Sequence, residues 1–343
     1  MMTATAFDFY LPSELNASHP PERRGIRRDH VKMMVLDKKT GQVSHDKFFR
    51  LADYLQPGDL VVMNNSRTVP AILQATLLRN TKTVKQEVEI RLARRRNEDT
   101  WDVLIVTEDV GLGDILHFSP DLTAVVIDIR KGSPLKTILF SKKGTDLFNS
   151  IYALGEPVRY EYIHHKWELD YYQTVFASHP GSVEMPSAGR AFSWELLFIL
   201  QKKGIELDFI QLHTGLSYLL DDDYEPSPTD NYEEYHLSET TIEKIKKTKA
   251  AGGRVIAVGT TVVRALESAE VTGELNGVTN LYIKQNFPLK MVDGIITGFH
   301  EPKASHLDML TAFITQEKLW KAYEKAIDQQ YLWHEFGDMN LIL

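Results

Sequence analysis

The residues of this chain that are best placed for chemistry lie in the stretch 255–267. Four apolar residues lead to Gly259, two threonines follow, and an amphipathic run then carries Arg264 and Glu267. The pattern predicts a buried strand, a tight turn and a helix that one of the threonines caps. Free backbone amides and the helix dipole at such an N-terminus attract a phosphate or a carboxylate. From the spacing alone, an ordinary strand-to-helix corner with an Arg264–Glu267 surface pair is the simpler interpretation.

Three more polar clusters follow predicted strands in the same way. They are Asn64–Arg67, His213–Gly215 and His300–Ser305. In open α/β sheets, ligands bind outside the carboxyl ends of the strands, so the four clusters are candidates for one shared site. Each also has a simpler interpretation: a turn at residues 64–65, a hydrogen-bonded structural histidine at residue 213, and a plain strand end at residues 299–300.

Motifs that are absent from the sequence narrow the chemistry. The glycines form neither a dinucleotide-binding fingerprint nor a phosphate-binding loop. The chain has no cysteine, which excludes thiolate metal sites, iron–sulfur clusters and a cysteine nucleophile. The spacing of His164, His165 and His179 matches no recognised metal motif. We therefore expect neither a metal site nor a prosthetic group.

Length and composition are those of a globular protein. The chain has 343 residues, 43% of them apolar, which suits about two domains of roughly 150 residues each. No apolar run approaches the roughly 20 residues that cross a bilayer. The first residues lack the basic flank and long apolar core of a signal peptide. We expect a cytoplasmic protein that does not enter a membrane and is monomeric.

The net charge of −8 argues against general binding of polyanions. A nucleic-acid partner would therefore need a local basic patch. Two such patches occur, one in residues 23–32 and the other in residues 79–96. For each patch taken alone, a solvated face is the simpler interpretation.

The segments that must position the polar clusters fall into two kinds. Short β-rich runs recur between about residues 70 and 145, and apolar and polar residues alternate in 87–92. Such runs predict a small closed antiparallel barrel. Helical and strand segments alternate elsewhere, which predicts parallel strands with right-handed crossovers. The predicted fold class is α/β: a mixed, largely parallel sheet with helices, plus an inserted small antiparallel β-barrel.

The barrel pattern has α/β-compatible segments on both sides. We therefore predict a discontinuous α/β catalytic domain, residues 1–67 and 146–343, with a β-barrel domain inserted at residues 68–145. Ser193 and Ser238 are predicted to cap two helices of the α/β part. The acidic, turn-rich segment 221–233 is predicted to be a mobile surface loop.

The order of the motifs resembles that of the S-adenosylmethionine:tRNA ribosyltransferase-isomerase family of queuosine biosynthesis. The resemblance runs almost from end to end, and the motifs follow the family's order. It rests on Phe7–Pro12, Val35–Gly41, Pro57–Arg67, Val69–Ala71, Tyr172–Ala177, Pro186–Gly189, Leu212–Gly215, Val255–Glu267, Thr297–Lys303 and Gly337–Asp338.

The resemblance implies a fold and a reaction. The implied fold, an α/β domain with a β-barrel inserted near its N-terminal part, agrees with the pattern described above. Members of the family transfer and isomerise the ribosyl group of S-adenosylmethionine. The acceptor is 7-aminomethyl-7-deazaguanine at the wobble position of a tRNA, and the products are epoxyqueuosine-tRNA, adenine and methionine. S-adenosylmethionine is thus expected as a substrate and tRNA as the partner.

This reaction needs acid–base groups, and carboxylates or aromatic faces near the sulfonium cation. His213 and His300 are the acid–base candidates, and the turn 259–261 is the candidate site for the methionine carboxylate. The candidate catalytic residues are His213, His300, Glu267, Glu234 and Asp338. The candidate substrate-binding residues are Asn65, Arg67, Ser187, Ala188, Gly189, Gly215, Gly259, Thr260, Thr261, Arg264, Pro302 and Lys303.

Some residues depart from the family's pattern inside these motifs. Ala191 and Tyr232 stand where the family places histidines, and Arg190 and Glu301 add charges. Imidazole is the usual proton shuttle at neutral pH, so its loss allows three hypotheses. The chain runs the family reaction, or it uses S-adenosylmethionine with another acceptor, or it is a catalytically silent RNA- or nucleotide-binding protein.

Overall fold

The computed structural model describes residues 8–217, 219 and 232–343, so residues 221–231 of the predicted loop lie outside the described part. The strands are β1 (Lys32–Leu36), β2 (Val43–Lys47), β3 (Leu60–Asn64), β4 (Ser66–Thr68), β5 (Ile72–Arg79), β6 (Lys82–Arg95), β7 (Thr100–Ile105), β8 (Ile115–Ser119), β9 (Leu122–Ile129), β10 (Leu135–Phe140), β11 (His179–Ser182), β12 (Glu206–Leu212), β13 (Glu233–His236), β14 (Val255–Val258), β15 (Asn276–Thr279), β16 (Gly294–Gly298) and β17 (Met339–Ile342). The helices are α1 (Leu51–Tyr54), α2 (Gly144–Leu154), α3 (Trp194–Lys202), α4 (Glu239–Ala250), α5 (Thr260–Thr272), α6 (Ser305–Leu310) and α7 (Gln316–Asp328). None of these helices is long and apolar enough to span a membrane.

Nine of the described strands form one mixed sheet, in the order β15-β13-β12-β3-β14-β16-β17-β1-β2. Its centre is parallel, because β12, β3, β14 and β16 all run in the same direction. Antiparallel pairs lie towards both sides, although β17 and β1 are parallel to each other. The central strands are continuous apolar runs, as expected for strands that are buried on both faces.

Two hydrophobic cores cover the two faces of this sheet. One contains residues of α4, α5 and α7, and the other contains residues of α1 and α3. Strand β3 serves both cores, because alternate side chains of a strand point to opposite faces. Leu60 and Val62 lie in the first core, and Val61 and Met63 lie in the second.

Strands β5 to β10 close into an antiparallel barrel, in the order β10-β7-β6-β5-β8-β9. The alternation in residues 87–92 is explained by this closure, because Val88, Ile90 and Leu92 all point into the barrel core. Helix α2 adds Leu147 and Ile151 to the same core. The predicted fold class, a mixed sheet with helices and an inserted barrel, is confirmed. The division into domains at residues 67/68 and 145/146 remains a prediction.

The helix starts were predicted with mixed success. The Ser193 hydroxyl accepts a hydrogen bond from the amide of Leu196, and the Ser238 hydroxyl accepts one from the amide of Thr241, so both caps are confirmed. The predicted threonine cap of α5 is wrong. Gly259, with φ of 94°, precedes the helix directly, and no side chain among the described residues caps it.

Candidate functional site

The four polar clusters lie along one edge of the central sheet. They follow the ends of β3, β12, β14 and β16. Since these strands are parallel, their carboxyl ends meet at one edge, as in the ligand sites of other α/β sheets. Strands β1 and β17 begin at the same edge, so Lys32 and Asp338 lie farther along it.

Asn64 ties two of the strand ends together. Its amide donates to the carbonyl of Leu212 at 2.8 Å, and its Oδ1 accepts from the amides of Leu212 and Ser66 at 3.1 and 3.0 Å. The same side chain is 3.4 Å from the hydroxyl of Thr261. The neighbouring Asn65 has a buried Oδ1 without a hydrogen-bond partner among the described residues. An unpaired buried acceptor is costly, so Asn65 stays a candidate for binding a donor group of a substrate.

His213 is held at both ring nitrogens. Its Nδ1 is 2.7 Å from the Ser66 hydroxyl, and its Nε2 is 2.6 Å from the Gln211 amide nitrogen. Burial lowers the pKa of His213 to about 4, and Arg95 adds to this effect, so the ring is neutral at neutral pH. The ring also covers Gly181 so closely that a Cβ there would lie 2.5 Å from it. These contacts are those of the hydrogen-bonded structural histidine that the sequence left open.

Arg264 forms a buried ion pair with Glu233. The predicted Arg264–Glu267 surface pair is therefore wrong, since β13 supplies the partner on this side of α5. Another oxygen of Glu233 accepts a hydrogen bond from the Gly215 amide at 3.4 Å. The side chains of Arg264 and Glu233 are only 13% and 5% exposed. The pair thus fixes the segment after β12 against α5.

The barrel contacts the segment that follows β12 through its strand β6. On β6, the carbonyl of Ala93 accepts from the amide of Leu216 at 3.0 Å. Arg95 of the same strand pairs with Glu234 at 3.0 Å, and the carbonyl of Glu234 accepts from the His213 amide at 3.0 Å. The Glu234 side chain is 47% exposed, which places this candidate at the rim of the site.

The N-terminus of α5 faces the turn that contains Ser187, Ala188 and Gly189. A Cβ at Gly259 would lie 3.2 Å from the Ala188 side chain, so the turn and the helix end approach closely. Because no described side chain caps α5, the amides of its first turn, beginning at Thr260, remain able to bind an anion.

His300 keeps one ring nitrogen open. Its Nε2 is 2.9 Å from the Thr297 hydroxyl, whereas Nδ1 has no hydrogen-bond partner in the described part of the chain. The ring stacks on His306, with centroids 4.8 Å apart and planes within 10°. Burial lowers the pKa of His300 well below its usual range, and His306 and His334 add to this effect. The imidazole is therefore neutral at neutral pH, and its Nδ1 stays available for a hydrogen bond to a bound substrate.

A second group of residues, which sequence reasoning missed, lies at the same edge. The ring of Tyr162 stacks on Tyr160 at 5.7 Å and on His334 at 4.3 Å between centroids. The Tyr162 hydroxyl donates to Glu335, and the Tyr160 hydroxyl donates to Glu184 at 2.7 Å. We call these five residues the aromatic–carboxylate cluster. No sequence signal predicted it, because its members come from three separate loops.

Contacts join this cluster to the residues predicted from sequence. The amide of Ser217 donates to the Glu184 carboxylate at 2.7 Å, and the Thr214 hydroxyl donates to the Glu184 carbonyl. Nδ1 of His334 is 3.3 Å from Glu301, the residue after His300 in the chain. We define the polar cleft as the aromatic–carboxylate cluster together with His300, Glu233, Arg264, Gly215 and Gly259.

Three carboxyl groups at the polar cleft have raised pKa values. Burial is the main cause that raises the pKa of Glu335 to about 7; the hydrogen bond from Tyr162 opposes it, and the nearby Glu184 and Glu301 act with it. Burial also raises the pKa of Glu184 and that of Glu301. A bound cation beside these groups would stabilise their charged forms. No three histidine, aspartate or glutamate side chains in the described ranges are grouped as metal ligands.

Glu267 and Asp338, two predicted catalytic carboxylates, bind backbone amides. Glu267 is 1% exposed and accepts from the amides of residues 290–292 at 2.9 to 3.2 Å. Asp338 is 4% exposed and accepts from the amides of Lys32 and Leu332, each at 2.7 Å. This geometry favours a structural role for both side chains over the predicted catalytic one.

Three predicted binding residues, Arg67, Pro302 and Lys303, form no side-chain hydrogen bond or ion pair with a residue of the polar cleft. Arg67 is exposed, and its guanidinium lies over the ring of Tyr152 at 5.6 Å. Lys303 is 68% exposed and pairs with Asp8 at 3.2 Å, while the preceding Pro302 is half-buried. The structure does not bring these side chains into contact with His213 or with α5.

Arg190 and Ala191, which depart from the family's sequence pattern, both lie inside the protein. Arg190 is 2% exposed and pairs with Glu22 at 2.9 Å, so its added charge is neutralised. Ala191 packs in the core that contains α3. A cavity of about 10 Å³, lined by Arg190, Ala191, His334 and Glu335, has room for about one water molecule.

Comparisons with known proteins agree on one family. The sequence profile described as "Queuosine biosynthesis protein" matches residues 4–342. The S-adenosylmethionine:tRNA ribosyltransferase-isomerase of Carboxydothermus hydrogenoformans is 38% identical over 352 residues, which cover 98% of each chain. The enzyme of the same name from Aquifex aeolicus is 35% identical over 349 residues and is covered completely, as is this chain.

A solved structure gives the same relationship. The crystal structure of S-adenosylmethionine tRNA ribosyltransferase from Thermotoga maritima superposes with a TM-score of 0.56 and 30% sequence identity. The superposition covers 99% of this chain and 100% of that protein, so both the sheet and the barrel are included.

Proposed function

Because this chain belongs to the S-adenosylmethionine:tRNA ribosyltransferase-isomerase family of queuosine biosynthesis, we propose that the polar cleft is its active site. The protein transfers and isomerises the ribosyl group of S-adenosylmethionine onto 7-aminomethyl-7-deazaguanine in tRNA. The products are epoxyqueuosine-tRNA, adenine and methionine. The observation that supports this location is the grouping of carboxylates and aromatic faces where the parallel strands end.

The reaction consists of proton transfers and of changes in C–N, C–S and C–O bonds. The sulfonium acidifies the neighbouring 5′ carbon, from which a base removes a proton. Adenine leaves with a proton supplied by an acid, and the amine of the modified base attacks the ribose. Closure of the epoxide then expels methionine. Each well-placed acid or base contributes about 10²- to 10⁴-fold to such a reaction.

The aromatic–carboxylate cluster suits the sulfonium cation. The stacked rings of Tyr160, Tyr162 and His334 offer aromatic faces, and Glu184 and Glu335 offer negative charge beside them. A cation over an aromatic face gains about 0.5 to 2 kcal/mol, depending on its desolvation. The ionised carboxylates add a charge–charge attraction that a neutral thioether does not have.

Glu335 and His300 are the acid–base residues that we propose. Glu335 has a pKa near neutrality, the range that suits a general base at neutral pH, so we assign it removal of the proton from the 5′ carbon. His300 has an open Nδ1 through which it can relay a proton to or from adenine. His213, with both nitrogens bonded inside the protein, positions the Thr214–Gly215 segment.

The N-terminus of α5 is the proposed site for the methionine carboxylate. Its first amides are uncapped, and the helix dipole favours a negative group there. The Ala188 side chain lies close to Gly259 and narrows the space beside the helix N-terminus. Arg264 is already paired with Glu233, so it holds the cleft together instead of binding the carboxylate.

We propose further that the protein acts on tRNA as a cytoplasmic monomer without a prosthetic group. The chain lacks cysteine and so offers no thiolate ligand to a metal ion or an iron–sulfur cluster, which supports the last of these points. The inserted barrel at residues 68–145 would then form one wall of the cleft, through Ala93 and Arg95.

The experiment is to incubate the purified protein with S-adenosylmethionine and a tRNA that carries 7-aminomethyl-7-deazaguanine, and to measure free adenine and methionine. Release that depends on this tRNA, with epoxyqueuosine in the digested RNA, is the expected result. Release only with another acceptor would assign a different reaction. Thermal stabilisation by S-adenosylmethionine without release would assign a binding protein.

A further inference from the structure

A groove of about 440 Å³ lies at the β1 side of the same sheet edge and plays no part in the proposed chemistry. Its lining includes Arg24, Ile26, Lys32, Lys47, Gln330 and Asp338. The charged residues of the complete lining are three cations and two carboxylates, Glu14 and Asp338. The groove is thus a basic feature on a protein whose net charge is −8.

Arg24 is the most unusual member of this lining. One terminal nitrogen of its guanidinium donates to the carbonyl of Phe336 at 2.9 Å. The other terminal nitrogen and Nε are buried without a hydrogen-bond partner in the described ranges. Its nearest carboxylates, Glu22 and Asp338, accept hydrogen bonds from other residues. The Arg24 side chain is half-buried, and leaving two of its donors buried and unpaired is costly.

Lys32 and Lys47 add a second anomaly. They are directly opposite each other on the antiparallel strands β1 and β2. Like charges in this relation destabilise a strand pair. The Lys32 ammonium reaches the carbonyls of residues 329 and 330 at 2.8 Å, whereas the Lys47 ammonium has no partner in the described part of the chain. An anion in the groove would relieve the repulsion and pair with Lys47.

The groove and the polar cleft share one loop. Arg24 donates to the carbonyl of Phe336, and the preceding residue, Glu335, belongs to the cleft. Asp338, two residues after Phe336 in the same loop, lines the groove. A ligand that crosses this loop would therefore place one group in the cleft and an anionic group in the groove.

We propose that the groove binds a backbone phosphate of the tRNA next to the base that enters the cleft. The inference rests on the proposed function, because it requires tRNA as the substrate. Proteins read the unstacked bases of single-stranded RNA loops in pockets, and they hold the flanking phosphates with basic side chains. Arg24 and Lys47 both line the groove, and each supplies a positive charge that suits a phosphate.

The test measures the Kd for tRNA over a series of KCl concentrations in the wild type, Lys47→Gln, Arg24→Gln and Lys246→Gln. Lys246, exposed on α4, is the matched control for loss of one positive charge. Lys47→Gln and Arg24→Gln should each raise the Kd about 3- to 10-fold and reduce the slope of log Kd against log salt by about 1. The Kd for S-adenosylmethionine alone should stay within about twofold of wild type.

Wild-type adenine release with the modified tRNA is measured first, because its failure would overturn the proposed function and this inference with it. If the wild type is active and Lys47→Gln keeps the wild-type Kd and salt slope, only the groove proposal is overturned. Lys47 has no described side-chain bond to lose, so this variant should fold. Thermal stabilisation by inorganic phosphate that Lys47→Gln abolishes, with tRNA affinity unchanged, would assign the groove to a free phosphate and contradict the proposal.

Discussion

The hydroxyl of Tyr162 donates a hydrogen bond to the carboxylate of Glu335, a residue 173 positions away in the chain. The same ring stacks on His334, so the contact joins two loops into one surface of rings and carboxylates. Burial raises the pKa of Glu335 to about 7, and it also raises the pKa of the Tyr162 hydroxyl. The proton of the pair therefore belongs to the tyrosine, and Glu335 is the group that titrates near neutrality.

Glu335→Gln should remove the acidic limb of the pH–rate profile, in which the rate falls as the pH decreases. In the wild type, the Glu335 carboxyl is protonated below about pH 7, where it can neither take a proton nor attract the sulfonium. We expect kcat/KM for S-adenosylmethionine to fall about tenfold per pH unit below this pKa. In Glu335→Gln the rate should be about 10²- to 10⁴-fold lower and should lack this limb. Glu243→Gln, an exposed change on α4, is the control and should retain the limb.

Ionisation of Glu335, which should raise the rate as the pH increases, should lower the stability of the folded protein. Between the ordinary glutamate pKa of 4.5 and the folded value of about 7, the folded state binds a proton that the unfolded state has released. The free energy of unfolding therefore falls as pH rises through this window. Above pH 7, Glu335→Gln should melt at a higher temperature than the wild type, and near pH 4.5 the two should agree. A variant that is less stable at pH 8 would contradict the assignment of this pKa.

The two predicted histidines should differ when each is changed to alanine. His300→Ala removes the open Nδ1 and should lower kcat about 10²- to 10⁴-fold with little change in the melting temperature. His213→Ala removes a buried ring that bonds Ser66 and Gln211, so loss of stability should dominate. Rates for both are compared at a temperature where far-ultraviolet circular dichroism shows folded protein. If both variants are folded and fully active, neither histidine has a role in turnover.

Arg264→Met should destabilise the protein by about 3 to 5 kcal/mol, because it leaves the Glu233 carboxylate buried without its partner. In the double variant Arg264→Met/Glu233→Gln, much of this loss should be recovered, since the unpaired charge is gone. Urea denaturation at fixed pH measures both. Equal stabilities of the single and double variants would show that the ion pair does not hold the cleft together.

Glu267→Gln separates structure from chemistry. The amide that replaces one oxygen of Glu267 cannot accept from the backbone of residues 290–292, so we expect a loss of about 1 to 3 kcal/mol in stability. The folded variant should keep its kcat within about twofold of wild type, because the side chain is buried away from the cleft. If the folded Glu267→Gln variant has a kcat about 100-fold below that of the wild type, the catalytic assignment of Glu267 is restored.

Local patterns predicted the elements well, and partners from distant parts of the chain decided the rest. The alternation at Val88, Ile90 and Leu92 correctly indicated a barrel wall, and Ser193 and Ser238 correctly marked two helix starts. These signals depend on neighbouring residues only. The strand ends also correctly predicted that the four polar clusters share one edge of the sheet, because parallel strands place their carboxyl ends together.

The errors arose where tertiary contacts compete with local spacing. Arg264 and Glu267 have the spacing of a surface pair, yet α5 is buried, and each side chain bonds a segment from elsewhere in the chain. Gly259 occupies the position directly before α5, where it has no side chain with which to cap the helix, and neither threonine does so. The aromatic–carboxylate cluster has no local signature, since its tyrosines, carboxylates and histidine come from loops that only the folded chain brings together.

The most direct test of the account compares the binding of S-adenosylmethionine with that of its neutral thioether, S-adenosylhomocysteine, by calorimetry at pH 8. The two ligands differ by a methyl group and a positive charge on sulfur. The wild type should bind the sulfonium more tightly, and Glu335→Gln should lose that preference while it still binds the thioether. Equal affinities in the wild type, or an unchanged preference in Glu335→Gln, would contradict the claim that this cleft holds the sulfonium.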